Sequence, residues 1–188
     1  MPALLNKLSP SATQMIRADH TGVLGNFHRF AADARPATKQ ALVKMICTSL
    51  QIHAQLEEEI FYPAMRGAGS ALLSEFEPEH EEMRSLIATL SGMQPTDERY
   101  DQTFMELMRT VIHHVADEET MLLPNAEAVL GGDKLGELGR QMMKRRIELA
   151  APRAREMAAD TARAKPNTLL FGAGAVLGAA YLLRRAFR

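Results

Sequence analysis

The 188-residue chain has no tryptophan, only three tyrosines and seven phenylalanines, and a single cysteine. With few aromatics and few β-branched runs it lacks the residues that sheets favour, while Ala, Leu, Met, Glu and Arg recur throughout, so helices are expected. Cys47 has no partner for an internal disulfide; it suits a reducing compartment and reads as a small buried hydrophobe. No Ser/His/Asp or Cys/His arrangement supports hydrolysis, and no glycine-rich loop is placed to cradle phosphate. The opening MPALLNKLSP has neither the apolar run nor the small-residue cleavage site of a secretory signal, so the bulk of the protein is expected in the cytoplasm. At 46% hydrophobic residues the chain is nonetheless able to bury a core.

The net charge of −1 hides a split. Residues 1–130 hold 10 Lys and Arg against 18 Asp and Glu, net −8, and residues 131–188 hold 12 against 5, net +7. The first part reads as an acidic soluble domain and the second as a segment that meets an anionic surface. No nucleic-acid partner is expected.

Turn and cap signals divide residues 1–130 into four helical stretches. Ser9-Pro10 opens the first, which is expected to run to about Arg35, and Pro36 opens the second, which runs to Pro63 before the turn RGAGS. The third spans about Ser70 to Ser91, with Pro78 as a kink or first turn. The fourth follows the break GMQPTDERY and reaches Pro124, and GGD at 131–133 closes the domain. The fold class is therefore all-α. Four helices with short connections make an up-down-up-down four-helix bundle, followed by an amphipathic basic helix or linker over 131–165 and a hydrophobic tail helix over 166–188.

Each helix aims one histidine along its apolar stripe. The stripes read Ile16, His20, Val23, Phe27; Ile46, Leu50, His53, Glu57, Ile60; Phe76, His80, Met83, Ile87, Leu90; and Leu107, Val111, His114, Glu118, Met121. HAQLEEEIFYP from His53 and HVADEETMLLP from His114 repeat His, Glu, Glu and Pro at the same offsets. A lone HxxxE reads equally as a hydrogen-bonded network or a surface pair. Four imidazoles and two carboxylates on core faces need more, because each costs several kcal/mol when buried without a partner. Two hairpins, each with one His followed by one HxxxE, give two metal ions a pair of imidazoles apiece, with Glu57 and Glu118 bridging. Imidazole and carboxylate without thiolate suit iron or manganese, with zinc as the lesser alternative. The i,i+3 Glu-x-x-His spacing of ferritin-like sites occurs only at Glu77–His80.

The stretches IRADHTGVLGNF, HAQLEEEIFYPAMR, EPEHEEM and HHVADEETMLLP, in the order H…HxxxE…H…HxxxE, resemble hemerythrin-like proteins of the HHE cation-binding type over about residues 9–145. The resemblance implies a four-helix bundle around two non-haem iron ions that meets O2 or related small oxidants. Its ligands here are His20, His53, Glu57, His80, His114 and Glu118. Oxygen-carrying hemerythrins place HxxxH on the third helix, where this chain has Phe76 and Arg84 around His80, and HxxxxD on the fourth, where it has HxxxE. The missing imidazole speaks against stable O2 carriage and for redox chemistry with peroxide, NO or O2, or for metal sensing. Glu58, Glu77 and Glu119 are neighbours that could supply an extra carboxylate ligand, with solvated acidic faces as the favoured reading. His113, about 100° round its helix from His114, and His28 read as outlying or surface residues.

The leading expectation is thus a di-iron protein that binds or senses O2, NO or iron. Beside it stand a peroxide-decomposing enzyme at the same centre and a membrane-associated adaptor with a vestigial site. Between Lys165 and Arg184 run 18 residues without a charge, PNTLLFGAGAVLGAAYLL, which reach about 27 Å as a helix, the short end for a bilayer of ~30 Å. Gly174 and Gly178, with Ala175 and Ala179, make small-xxx-small pairs suited to close helix contact and self-association. The tail is expected to anchor the domain to a membrane, with Lys144, Arg145, Arg146, Arg153 and Arg155 near anionic lipid; a buried or interfacial helix is the alternative.

Overall fold

The computed structural model describes residues 9–164, the side chain of residue 75 excepted. Among them there is no strand. Helices α1 (Ala12–Phe27), α2 (Pro36–Leu56), α4 (Leu73–Gly92) and α5 (Tyr100–Asp117) are the four long elements expected. α3 (Tyr62–Gly67) extends α2, α6 (Leu123–Ala150) extends α5, and α7 (Ala154–Ala164) ends the described chain. Packing closes a ring, with α1 on α2, α2 on α4, α4 on α5 and α5 on α1.

Local chemistry sets the ends. Ser11, two residues later than the sequence suggested, caps α1 through a reciprocal capping box with Gln14. α1 stops at Phe27 rather than near Arg35, and tight bonds from Arg29 N to Asn26 O and from Phe30 N to Phe27 O end it. Arg35 is extended before Pro36, as a pre-proline residue prefers, and Pro36 starts α2. After α3, Gly69 adopts φ 79° so that Ser70 N can reach Met65 O. Pro78 lies within α4, which is continuous around it.

The two repeated Glu-to-Pro segments contain a π-helical turn each. Glu57–Phe61 and Glu118–Leu122 widen the helix, with Tyr62 N bonded to Glu57 O and Leu123 N to Glu118 O. Pro63 and Pro124, each six residues after its Glu, lack an N–H and would crowd the carbonyl four residues back in a regular helix; the wide turn accommodates them. The extra residue also moves the buried face on by one. Phe61 and Leu122 are fully buried, whereas Met121, placed on the stripe by simple periodicity, is 38% exposed.

GGD does not end the helical domain. Gly131, at φ 71°, bends α6, which continues to Ala150. α6 packs on α1 and α7 along α2, burying Leu135, Leu138, Met142, Ala150 and Ala164. α6 thus runs across residue 130. Arg145 and Arg146 pair with acids of the bundle: Arg145 Nε is 2.7 Å from Glu59 Oε2 and Arg146 Nη1 is 2.7 Å from Asp19 Oδ1. Part of the charge split is thus neutralised within the molecule. No helix among the described residues is long and apolar enough to cross a membrane, and the expected span at 166–188 lies outside them.

The core is two apolar clusters with a polar layer between. One holds Val23, Leu50, Met83 and Val111, the other Ile16, Leu56, Phe76 and Leu122. His20, His53 and His80 each fall between a member of one cluster and a member of the other on its own helix, and His114 falls between Val111 and, past the end of α5, Leu122.

Candidate metal centre

The six residues picked out by the stripes converge in that polar layer. His20, His53, His80, His114, Glu57 and Glu118 are all buried, the two glutamates completely. The rings pair by hairpin: His20 and His53 have centroids 5.1 Å apart, His80 and His114 4.8 Å apart. Each carboxylate then spans both pairs. Glu57 Oε1 lies 3.3 Å from His53 Nε2, and its Oε2 lies 3.3 Å from His80 Nε2. Glu118 Oε2 lies 3.1 Å from His20 Nε2 and 3.6 Å from His114 Nε2. His80 Nε2 and His114 Nε2 are 3.3 Å apart.

All four Nε2 atoms face inward because all four Nδ1 atoms are held from outside by carboxylates. His20 Nδ1 is 2.9 Å from Glu119, His80 Nδ1 2.9 Å from Glu58, His114 Nδ1 2.9 Å from Glu79 and His53 Nδ1 3.4 Å from Asp19. The outer acids interlock. Asp19, next to His20, holds His53; Glu58, next to Glu57, holds His80; Glu79, next to His80, holds His114; and Glu119, next to Glu118, holds His20. A carboxylate on Nδ1 fixes the tautomer that leaves Nε2 free to ligate and raises its basicity. Behind this layer, Arg146 neutralises Asp19 and Arg84 neutralises Glu58, its Nη1 2.6 Å away.

Of the neighbours flagged by sequence, Glu58 and Glu119 thus belong to the centre's surround, while Glu77 pairs with Arg66 at the surface. His113 is exposed, with Nδ1 3.2 Å from Glu79 and 3.3 Å from Asp117, and His28 is exposed at the end of α1. Asp19, Glu79 and Tyr62 were not foreseen. Tyr62 stacks on His80 at 5.5 Å and its hydroxyl is 3.4 Å from His80 Nε2 and 3.5 Å from Glu57 Oε2. Phe76 stands edge-on to His114, 6.0 Å between centroids.

The electrostatics describe a site that wants positive charge. Burial, then the facing Glu118 carboxylate, push Glu57 up to about 7, while the histidines pull against them. Burial also opposes the charge on Glu118, but the His20 contact and the nearby imidazoles hold it below the usual carboxylate range. Burial works against a charged His20 and is outweighed by Glu118 and Glu57, which raise it to about 9. Burial lowers His80. Asp19 overcomes its burial through His53 and Arg146 and falls to about 2.

Whether a cation fits is answered by the atoms left without hydrogen bonds. These are His20 Nε2, Glu57 Oε1 and both oxygens of Glu118; only Arg146 Nε joins them among the described residues. The 3.1 Å approach of His20 to Glu118 is a close contact that lacks hydrogen-bond alignment. Orphaned buried polar atoms cost about 1–3 kcal/mol each, and here they are all nitrogen and oxygen donors pointing at one another. Two converging sets, His20, His53, His114 with Glu118, and Glu57 with His80 and His114, each bring their donor atoms within 4.8 Å.

A family model, the hemerythrin HHE cation-binding domain, matches residues 11–126. The chain belongs to that family. Its fold is similar to the crystal structure of a hemerythrin HHE cation-binding domain-containing protein of Mycobacterium kansasii, with a TM-score of 0.66 at 21% identity, covering 82% of this chain and 99% of that one. It is also 28% identical over 118 residues to a DNA nickase of Nostoc, a match that takes in 62% of this chain and 34% of the relative. The chain thus corresponds to about a third of that relative's length. The family and the buried His/Glu group together make this a metal-binding, hemerythrin-like protein.

Proposed function

We propose that the centre holds two non-haem iron ions and binds or senses a small oxidant, O2 or NO, or iron itself. The observation that carries this reading is the span of Glu57 and Glu118, each of which touches one imidazole of each hairpin. His20 and His53 would serve one ion, His80 and His114 the other, with the two carboxylates shared. Imidazole and carboxylate donors suit iron or manganese ahead of zinc. Bound iron supplies redox chemistry toward such ligands. The protein's own part is to hold four Nε2 atoms inward through Asp19, Glu58, Glu79 and Glu119, between two apolar clusters.

Peroxide decomposition is the second reading, and Tyr62 favours it. Its phenol is kept protonated by burial and by the Glu57 and Glu118 carboxylates, and its hydroxyl stands beside both a candidate ligand and a candidate bridge. A phenol held in its protonated form there can donate a hydrogen bond to an oxygen atom of a bound peroxide. At the two positions from which a second imidazole could complete HxxxH with His80, Phe76 packs and Arg84 pairs outward, which speaks against stable O2 carriage. Iron-loaded protein given hydrogen peroxide separates the readings: O2 release over many turnovers supports the enzyme, and a stoichiometric spectral change with NO or O2 alone supports the binder or sensor. A chain that takes up no metal would be the vestigial adaptor. The nickase activity belongs to a much longer relative and is not proposed here. From its sequence alone, 166–188 is proposed as a membrane anchor and a self-association surface.

A further inference from the structure

The space beside the imidazoles is much larger than a diatomic or a peroxide requires. A cavity of about 600 Å3 reaches His20, His53, His80 and His114, and sites for organic ligands commonly span roughly 300–1,000 Å3. Its wall changes character along its length. Ile46, Leu50, Met83, Ile87 and Val111 line it from the buried core. Arg84, Arg146 and Arg153 line it from more exposed positions. Arg84 is neutralised by Glu58 and Glu81, and Arg146 by Asp19. Arg153 has no carboxylate partner among the described residues, since the nearby Glu156 is paired with Lys44 and Asp160 with Arg163.

We propose that this cavity binds an amphipathic organic monocarboxylate, with the carboxylate on Arg153 and the hydrocarbon chain in the apolar part beside the four histidines. A guanidinium fork matches a carboxylate with two parallel hydrogen bonds. Asp19, Glu58 and Glu59 also line the cavity but are paired with Arg146, Arg84 and Arg145, so Arg153 is left as a single positive charge, which matches a monoanionic head better than a dianionic one such as phosphate. Asn26, Ser49, Gln51 and Gln55 also line the cavity, but the continuous apolar stretch from Ile46 and Leu50 to Met83, Ile87 and Val111 favours a hydrocarbon chain over a sugar or a nucleotide. Binding needs only the cavity; the consequence, that the chain lies next to a metal centre, rests on the function proposed above.

Isothermal titration of octanoate into the full chain, both iron-loaded and metal-free, tests this. One saturable site is expected in each form, with a changed visible absorption in the iron-loaded form. Arg153→Gln should weaken octanoate by about tenfold, a loss typical of one charge-assisted pair. Acetate, which has the head without the chain, and octan-1-ol, which has the chain without the charge, should each bind much more weakly, and neither comparison depends on a variant folding. No saturable binding at millimolar octanoate, or binding that Arg153→Gln leaves unchanged, or acetate matching octanoate, overturns the proposal. Octanoate binding to a protein that takes up no metal would instead overturn the metal-centre reading and leave the cavity assignment standing.

Discussion

Because Glu57 and Glu118 each touch both histidine pairs, Glu57→Ala or Glu118→Ala should cost most of the bound metal, read as ions per chain by elemental analysis. His114→Ala should do the same, whereas His113→Ala, which removes an exposed ring behind Glu79, should cost little; the reverse order would put the fourth helix in another register. Asp19→Asn is expected to weaken metal binding by about 10–100-fold, because Asp19 orients His53 from behind. Protons report on the same layer. His20, ordinarily near 6.5, is raised to about 9, so the stability its charged form contributes to the metal-free fold is complete below 6.5 and lost as pH rises through 9. The melting temperature of the metal-free protein should therefore fall between pH 7 and 9, and metal affinity, which requires the same proton to leave, should rise over that range. The six inner residues were legible in sequence because a polar residue on an apolar stripe has no cheap structural explanation. The role of the outer acids on the histidines was not, and Asp19 and Glu79 drew no notice at all, because an acid beside a histidine or a glutamate on a helix lies about 100° round and looks like a solvated face. The pattern was nonetheless there, as an acid just before each single His and a second Glu just after each HxxxE.

Among the elements, the π-helical turns explain both the repeat and what it concealed. In a regular helix Tyr62, five residues past Glu57, would sit about 140° round from it; the wide turn brings it back over Glu57, so 3.6-residue periodicity missed it and wrongly continued the stripe to Met121. Helix types and most breaks were readable from Pro and Gly, but not the fate of GGD, since a glycine that ends one helix and one that bends it look alike until packing decides. Here packing does decide, through Gly139. A Cβ at that position would overlap the Pro10 carbonyl oxygen and crowd Ser11, at the N-terminus of α1. Gly139→Ala should therefore destabilise the protein by about 1–3 kcal/mol, the usual cost of overpacking, measured by denaturant unfolding. An unchanged midpoint would mean that α6 is not seated on α1 as described.

At the scale of the whole molecule, an acidic ring of four helices is clasped by a more basic arm, and a polar layer divides the core in two. Metal should hold that layer together, so the metal-free protein is expected to melt at a lower temperature and recover on adding metal, as seen by calorimetry. Equal melting temperatures would favour a hydrogen-bonded His–Glu network without an ion. For the tail, full-length protein is expected to sediment with membranes through a high-salt wash, and a chain ending near Ala164 to stay soluble with its centre intact; release by salt alone would make the segment interfacial. The central claim is the two-ion centre, and the most direct measurement is the iron-to-protein ratio of the full chain after anaerobic loading with ferrous iron and removal of excess. About two ions per chain are predicted from the two histidine pairs and their shared carboxylates, and a ratio below one would contradict the account.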